Sequence, residues 1–160
     1  MANRYLRKQV EQIKRKKIAE KTVVNLKEYR ELRKPLDPKS ILVVDDDEVM
    51  RNAMKRILER EGYKILLAED GLELSKILET TTLDMIILDI NLPWVDGYEL
   101  CSMIKSHPSL SQTPLIMVSA QKGKEDIERG FAVGCDDYVT KPFDVAKITD
   151  SIAKALLKAG

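Results

Sequence analysis

The sequence predicts an α/β fold in which a five-stranded parallel sheet carries helices on both faces. Two observations favour this class. From Ser40 onward, a short apolar run, a turn and an amphipathic segment follow one another five times. The run Met85 to Leu88 is apolar at every position, which is typical of a central strand that is covered on both faces.

The predicted strands are the apolar runs of the five units, and each predicted helix follows its strand with apolar residues at helical spacing. The strands are Ile41 to Val44, Lys64 to Ala68, Met85 to Leu88, Pro114 to Val118 and Tyr138 to Val139. The helices are marked by Val49, Met50, Ala53, Met54, Ile57 and Leu58, ending at Gly62; by Leu72, Leu74, Ile77 and Leu78; by Leu100, Met103 and Ile104; by Ile127 and Phe131; and by Ile148, Ile152, Ala155 and Leu156. We expect all three residues of the third group to face the core.

The first part of the chain differs in charge from the rest. Residues 1–39 hold 13 Lys/Arg against 5 Asp/Glu, whereas residues 40–160 hold 14 against 21. This contrast indicates two functional units, which we assign as a basic extension over residues 1–38 and a domain over residues 39–160. Two turn-spaced stripes, Leu6, Val10 and Ile13 and then Leu26, Tyr29 and Leu32, predict one interrupted helix or two short ones.

Composition excludes several classes of protein. No apolar run approaches the ~18 residues of a membrane span, and the basic amino terminus has no apolar stretch behind it, so we predict neither a membrane span nor a secretory signal. Cys101 and Cys135 stand far apart in sequence, which argues against a disulfide framework and favours the cytoplasm.

Polar side chains gather where the predicted strands end. Asp45 to Asp47 follow the first strand, Asp89 follows the third, Ser119 the fourth and Thr140 to Pro142 the fifth. The carboxyl ends of parallel strands meet at one edge of a sheet, so these groups should lie together. Clustered carboxylates need a neutralising cation, and oxygen ligands suit Mg²⁺. A carboxylate, Mg²⁺ and a lysine together are suited to phosphoryl transfer, with the carboxylate as nucleophile.

Residues 40–158 resemble the receiver domain of two-component response regulators. The resemblance rests on ILVVDDDEVMR, DMIILDINLPWVDG, LIMVSA and GCDDYVTKPF, in this order and at receiver spacing, and it covers about three quarters of the chain. It implies a flavodoxin-like fold that is phosphorylated by a histidine kinase or a histidine phosphotransfer protein. Two residues depart from the common pattern: Cys135 stands where small residues are usual, and Trp94 lies just beyond Asp89.

The resemblance also implies the ligands of the metal. Asp89 matches the phosphoacceptor, and Asp45 and Asp46 match the acidic pair. In such a site Asp46 is expected to ligate Mg²⁺ directly and Asp45 more through water. The main-chain carbonyl of Asn91 is expected to complete the protein ligands together with Asp89.

Three further positions match residues that act on the phosphoryl group. Lys141 matches the phosphate-pairing lysine and is expected to precede a cis bond to Pro142. Ser119 matches the switch hydroxyl, and Tyr138 matches the aromatic residue that turns inward when the hydroxyl engages phosphate. Every site element is present, so we expect a receiver that can be phosphorylated.

Simpler interpretations exist for several of these residues. An acidic cluster such as Asp45 to Asp47 can simply cap a helix. Ser119 can be an ordinary hydroxyl at a strand end, and Tyr138 can be ordinary packing on an edge strand. Trp94 is either a partner contact or an incidental exposed ring. His107, the one histidine, is expected to be a loop residue, so the phosphoryl donor must be another protein.

These residues predict a signalling receiver, which catalyses only its own phosphorylation and dephosphorylation and acts through a phosphorylation-dependent contact with a downstream protein. A haloacid dehalogenase-like enzyme is disfavoured, because it requires a hydroxyl-bearing residue where Val49 stands. For residues 1–34 three interpretations stay open: a solvated tail; docking onto the domain, a second copy or a partner; and binding to nucleic acid or an anionic membrane. The alternative function is accordingly a nucleic-acid-binding regulator that acts through this extension.

Overall fold

The computed structural model describes residues 6–13 and 37–159. The chain divides into two units between Leu36 and Asp37. In the first unit, residues 6–13 are helical, which confirms a helix at the first predicted stripe. Leu6 and Ile13 expose their side chains on it. The second predicted stripe, from Leu26 to Leu32, lies outside the described residues. None of the described helices is both long enough and apolar enough to cross a bilayer.

The second unit is a five-stranded parallel sheet with the strand order β2-β1-β3-β4-β5. This confirms the predicted fold class. The strands are β1 (Ser40–Val44), β2 (Lys64–Ala68), β3 (Met85–Leu88), β4 (Leu115–Ser119) and β5 (Asp137–Thr140). The helices between and after them are α1 (Glu48–Arg60), α2 (Gly71–Thr80), α3 (Gly97–Ser106), α4 (Lys124–Ala132) and α5 (Val145–Ala159).

The sheet buries a separate apolar layer on each face, because alternate side chains of every strand point to opposite sides. On one face, strand residues such as Leu42, Ile86 and Met117 pack against α2, α3 and α4. On the other face, Ile41, Ile87 and their neighbours pack against α1 and α5. The central strands β1, β3 and β4 are therefore covered on both sides, which explains their continuous apolar sequence.

Aspartates precede the first three helices of the second unit. Asp47, Asp70 and Asp96 each occupy the residue before a helix in an extended conformation, and each side chain accepts hydrogen bonds from backbone N–H groups of the first turn. These carboxylates satisfy donors that have no partner within the helix and favour its positive end. Each of these aspartates therefore marks the boundary between a loop at the carboxyl edge of the sheet and the helix that follows it.

One predicted core residue is wrong. Met103 is 66% exposed, whereas Leu100, Cys101 and Ile104 are buried. The buried face of α3 is centred on Gly97, Cys101 and Ile104, and at 100° per residue Met103 falls outside it. Three strands differ slightly from their predicted bounds: β1 begins at Ser40, β4 is shifted by one residue to end at Ser119, and β5 runs from Asp137 to Thr140.

Candidate functional site

The site lies where the strand order reverses. β1 pairs with β2 on one side and with β3 on the other, so the connections leave this point in opposite directions. Val44 of β1 is aligned with Leu88 of β3, and the next residue of each strand is an aspartate. The N–H of Asp89 donates to the carbonyl of Val44 at 2.9 Å. The register therefore places Asp45 and Asp89 side by side at one edge.

Three carboxylates form a cluster at this edge. Asp45, Asp46 and Asp89 each offer an oxygen, and these oxygens all lie within 4.8 Å of one another. Asp45 is 4% exposed and Asp89 is 7% exposed, whereas Asp46 is exposed. Asp47, the third acid of the sequence run, instead caps α1 by accepting from Val49 and Met50. The helix-capping interpretation thus applies to one acid of the run and leaves two for the cluster.

Lys141 brings a cation to the cluster from the end of β5. Its Nζ lies 3.0 Å from Asp45 Oδ2 and 3.4 Å from Asp89 Oδ2. Burial lowers the pKa of this ammonium, but the hydrogen bond to Asp45 and the charges of both carboxylates outweigh burial and raise the pKa above its ordinary value. The lysine therefore stays charged across the physiological range. The peptide bond from Lys141 to Pro142 is cis, as expected.

One lysine does not neutralise the cluster. Burial raises the pKa of the Asp89 carboxyl and the neighbouring Asp45 charge adds to this, while Lys141 and the N–H of Asn91 oppose the rise. The charge of three carboxylates exceeds that of one ammonium, so the cluster favours a further cation. An exposed oxygen donor at Asp46 beside two buried ones fits a hard divalent ion that keeps part of its water shell.

The loop after β3 is tied back to the site. The N–H of Asn91 donates to Asp89 Oδ1 at 3.2 Å, and its side-chain carbonyl accepts from Gln121 Nε2 at 2.8 Å. Asn91 also forms an isolated bridge with Asp96, just before α3. These contacts fix the conformation of the loop that carries the main-chain carbonyl of Asn91, the predicted ligand two residues after Asp89.

Ser119 and Tyr138 are joined through Gln121. Ser119 is fully buried at the end of β4, and its Oγ accepts from the N–H of Gln121 at 3.1 Å. Tyr138 of β5 is 8% exposed and donates its hydroxyl to the carbonyl of Gln121 at 2.7 Å. Tyr98 donates to the side chain of Gln121 at 3.2 Å. The aromatic ring of Tyr138 is therefore turned inward in this structure.

Sequence reasoning missed Gln121 and two residues on the other side of the site. Arg51 of α1 is buried, with Nη1 2.6 Å from the carbonyl of Asp45 and Nη2 3.1 Å from Glu69 Oε2. A signal for Arg51 exists, because it occupies the buried helical stripe with Met54 and Leu58. Glu69 and Gln121 carry no such pattern, since their contacts depend on loops far apart in sequence.

Trp94 is not the exposed ring that was predicted. It is half-buried, it packs on Gly71, and its Nε1 donates to the carbonyl of Glu69 at 3.1 Å. The indole therefore joins the loop after β3 to the start of α2. His107 lies just after the end of α3, in an extended conformation as a loop residue, which was predicted, and its Nδ1 accepts from the N–H of Ser109.

Comparison with known proteins places this arrangement in a family. The family model described as the response regulator receiver domain matches residues 41–153. The chain belongs to the response regulator receiver family. Its signalling class is thereby set: receiver domains are signalling domains of two-component systems.

Individual relatives agree with this assignment. Over 117 residues, the receiver is 35% identical to Protein PilG of Pseudomonas aeruginosa, covering 72% of this chain and 86% of PilG. Over 120 residues it is 38% identical to the alkaline phosphatase synthesis transcriptional regulatory protein PhoP of Bacillus subtilis, covering 75% of this chain but 49% of PhoP. The chain thus spans about half the length of several curated relatives that it matches.

A solved structure supports the same conclusion. The CheY-like response regulator receiver domain protein of Methanospirillum hungatei superposes with a TM-score of 0.69 at 30% identity, covering 77% of this chain and 97% of that one.

Proposed function

We propose that this receiver accepts a phosphoryl group on Asp89 from a phosphohistidine of a histidine kinase or a histidine phosphotransfer protein. The observation that carries the proposal is that Asp89 lies beside two other carboxylates and beside the ammonium group of Lys141. Its carboxylate lies within 4.8 Å of two further carboxylates and 3.4 Å from the Lys141 ammonium. This is a nucleophile placed between a cation site and a fixed cation.

The transfer exchanges one bond to phosphorus for another. An Asp89 carboxylate oxygen forms the new P–O bond while the P–N bond to the donor imidazole breaks, and the imidazole nitrogen keeps the bonding electron pair. The protein contributes mainly position and charge neutralisation to such a transfer. Lys141 already contacts Asp89, so it can pair with a phosphoryl oxygen without crossing the site.

Mg²⁺ fits this donor set, and Asp45, Asp46, Asp89 and the Asn91 carbonyl are the groups that would hold it. The bound ion would neutralise negative charge on the phosphoryl oxygens. The excess of carboxylates over ammonium groups supports a divalent cation, and the exposure of Asp46 leaves room for water and phosphoryl oxygens.

The output is a contact with a downstream protein through the face formed by β4, β5 and their helices. Ser119 would bond to the phosphoryl group and release the N–H of Gln121, with which it pairs at 3.1 Å. Tyr138 shares Gln121 as a partner and therefore senses the change. The helices of this face expose Phe131, Val145 and Leu157 for a partner.

The deciding experiment follows phosphorylation of wild type and Asp89→Asn. Each protein is treated with a small acyl phosphate and Mg²⁺, and mass spectrometry measures the added phosphoryl group. We expect one phosphoryl group on wild type and none on the variant, whose amide is a poor nucleophile. Asp136→Asn, which alters a carboxylate at the opposite edge of the sheet, is the matched control and should label normally. Equal labelling of wild type and Asp89→Asn refutes the proposal.

The basic extension supports a second candidate, a nucleic-acid-binding regulator. Its 12 Lys/Arg against 5 Asp/Glu in residues 1–38 suit phosphate contacts. Duplex DNA binding by wild type and by a variant lacking residues 1–38 is compared across salt concentrations. Strong salt-dependent binding that disappears on deletion supports this candidate. Equal weak binding by both proteins contradicts this candidate and favours an extension that contacts a protein or is solvated.

A further inference from the structure

Arg51 forms a link between the acidic cluster and the loops beside it. Its guanidinium donates to the main-chain carbonyl of Asp45 at 2.6 Å and pairs with Glu69 at 3.1 Å. The carbonyl of Glu69 in turn accepts from Trp94 Nε1 at 3.1 Å. The chain of contacts therefore runs from the loop after β3, through the loop after β2, to the loop after β1.

We propose that Arg51 is a positioning residue for the metal site, which orients the peptide unit between Asp45 and Asp46 and couples it to the Trp94 loop through Glu69. This inference rests on the proposed metal site at Asp45, Asp46 and Asp89. It goes beyond that site in assigning a residue that touches neither the metal nor the phosphoryl group.

The geometry explains how one arginine orients two acids. The carbonyl that Arg51 holds belongs to the peptide plane that joins Asp45 to Asp46. The other side of Asp45 is also held, because its N–H donates to the carbonyl of Ala68 at 3.2 Å. With both main-chain groups bonded, the two carboxylates leave the backbone in fixed directions. Outer contacts of this kind set the affinity of metal ligands.

Electrostatics alone predicts the opposite effect for Arg51. Arg51 is 8% exposed, and a buried guanidinium is costly unless it is paired. A positive charge near the cluster also repels a metal cation, so removing it should tighten metal binding if charge were its main influence. If Arg51 acts by positioning, removing it weakens binding. The sign of the change therefore separates the two explanations.

The test measures Mg²⁺ affinity by titrating Trp94 fluorescence, with Mn²⁺ binding measured by electron paramagnetic resonance as a second probe. Arg51→Met should weaken binding of both ions about 10-fold or more, the usual result of losing an outer-shell partner. Arg51→Lys can reach only one of the two partners and should lie between this variant and wild type. Arg56→Met is the matched control, since Arg56 is an exposed arginine on the same helix. It should bind as wild type does or slightly more tightly.

The outcomes distinguish this inference from the proposed function. If wild type binds neither ion, the metal site itself is wrong and the inference falls with it. If wild type binds and Arg51→Met binds equally or more tightly, the inference alone is wrong. Circular dichroism reports folding. If Arg51→Met does not fold, Arg51→Lys replaces it and is compared with Arg56→Lys on the exposed side of the same helix. Both variants keep the positive charge, so weaker binding in Arg51→Lys supports the inference, and equal binding in the two variants overturns it.

Discussion

Gly97 is the position where one added methyl group should disturb the site most. A Cβ there would lie 2.4 Å from the Cα of Ile90 and 2.7 Å from its carbonyl oxygen. Ordinary contact between carbons needs about 3.5 Å, so one backbone segment must move by about 1 Å. Neither segment can yield cheaply, because Ile90 is buried and its carbonyl accepts from the N–H of Gly97. We expect Gly97→Ala to lower the free energy of unfolding by about 1–3 kcal/mol.

The displacement should also reach the metal site, because Ile90 lies between Asp89 and Asn91. We expect Mg²⁺ affinity in Gly97→Ala to fall about 10-fold, as for other lost supports of a metal ligand. Urea unfolding measures stability, and titration of Trp94 fluorescence measures affinity.

Gly62→Ala is the matched control. Gly62 has a φ of +94° and no heavy atom within 4 Å of its added Cβ, so its cost of about 1–2 kcal/mol comes from backbone conformation. It lies between α1 and β2, at the opposite edge of the sheet from the site. Both variants should lose stability, and only Gly97→Ala should lose affinity. Unchanged stability in Gly97→Ala, or equal loss of affinity in both variants, refutes the reasoning.

Two further predictions concern buried groups. Burial raises the pKa of Cys101 to about 11 and that of Cys135 to about 12, so iodoacetamide at pH 8 should label both thiols in urea and neither in the native protein. Above pH ~9 the unfolded thiols lose protons that the folded ones keep, so stability from this source should fall as pH rises from ~9 to ~11, as measured by urea midpoints. Tyr138→Phe removes the 2.7 Å hydrogen bond to the Gln121 carbonyl and should lower the free energy of unfolding by about 1 kcal/mol. An unchanged urea midpoint in Tyr138→Phe contradicts the prediction for this hydrogen bond. Rapid labelling of the thiols in the native protein contradicts the prediction for Cys101 and Cys135.

Most of the fold could be predicted because the signals were local. The run Met85 to Leu88 is apolar at each position, which is typical of a strand covered on both faces. Met103 shows where locality fails. Its spacing from Leu100 suits a helix face, but the direction of the buried face of α3 depends on how the helix packs on the sheet. Neighbouring residues do not carry that information.

The positions of the candidate site residues could be predicted for a similar reason. Asp45, Asp89 and Lys141 each follow a strand, and parallel strands bring their carboxyl ends to one edge whatever the intervening sequence. The roles proposed for them still await the experiments above. Gln121 was missed because its contacts with Asn91, Ser119 and Tyr138 join three separate loops and strands, and no spacing in the chain encodes them.

Trp94 shows why these unpredicted contacts bear on function. Sequence alone offered a partner contact or an incidental exposed ring, whereas its indole packs on Gly71 and bonds to Glu69. Because Glu69 pairs with Arg51 and Arg51 holds Asp45, the loop after the proposed phosphoacceptor is connected to the acidic pair by a route separate from Asp89 itself. A change at the acidic pair therefore has a physical path to the indole. Fluorescence of Trp94 should accordingly report metal binding in wild type and respond less when Arg51 is replaced.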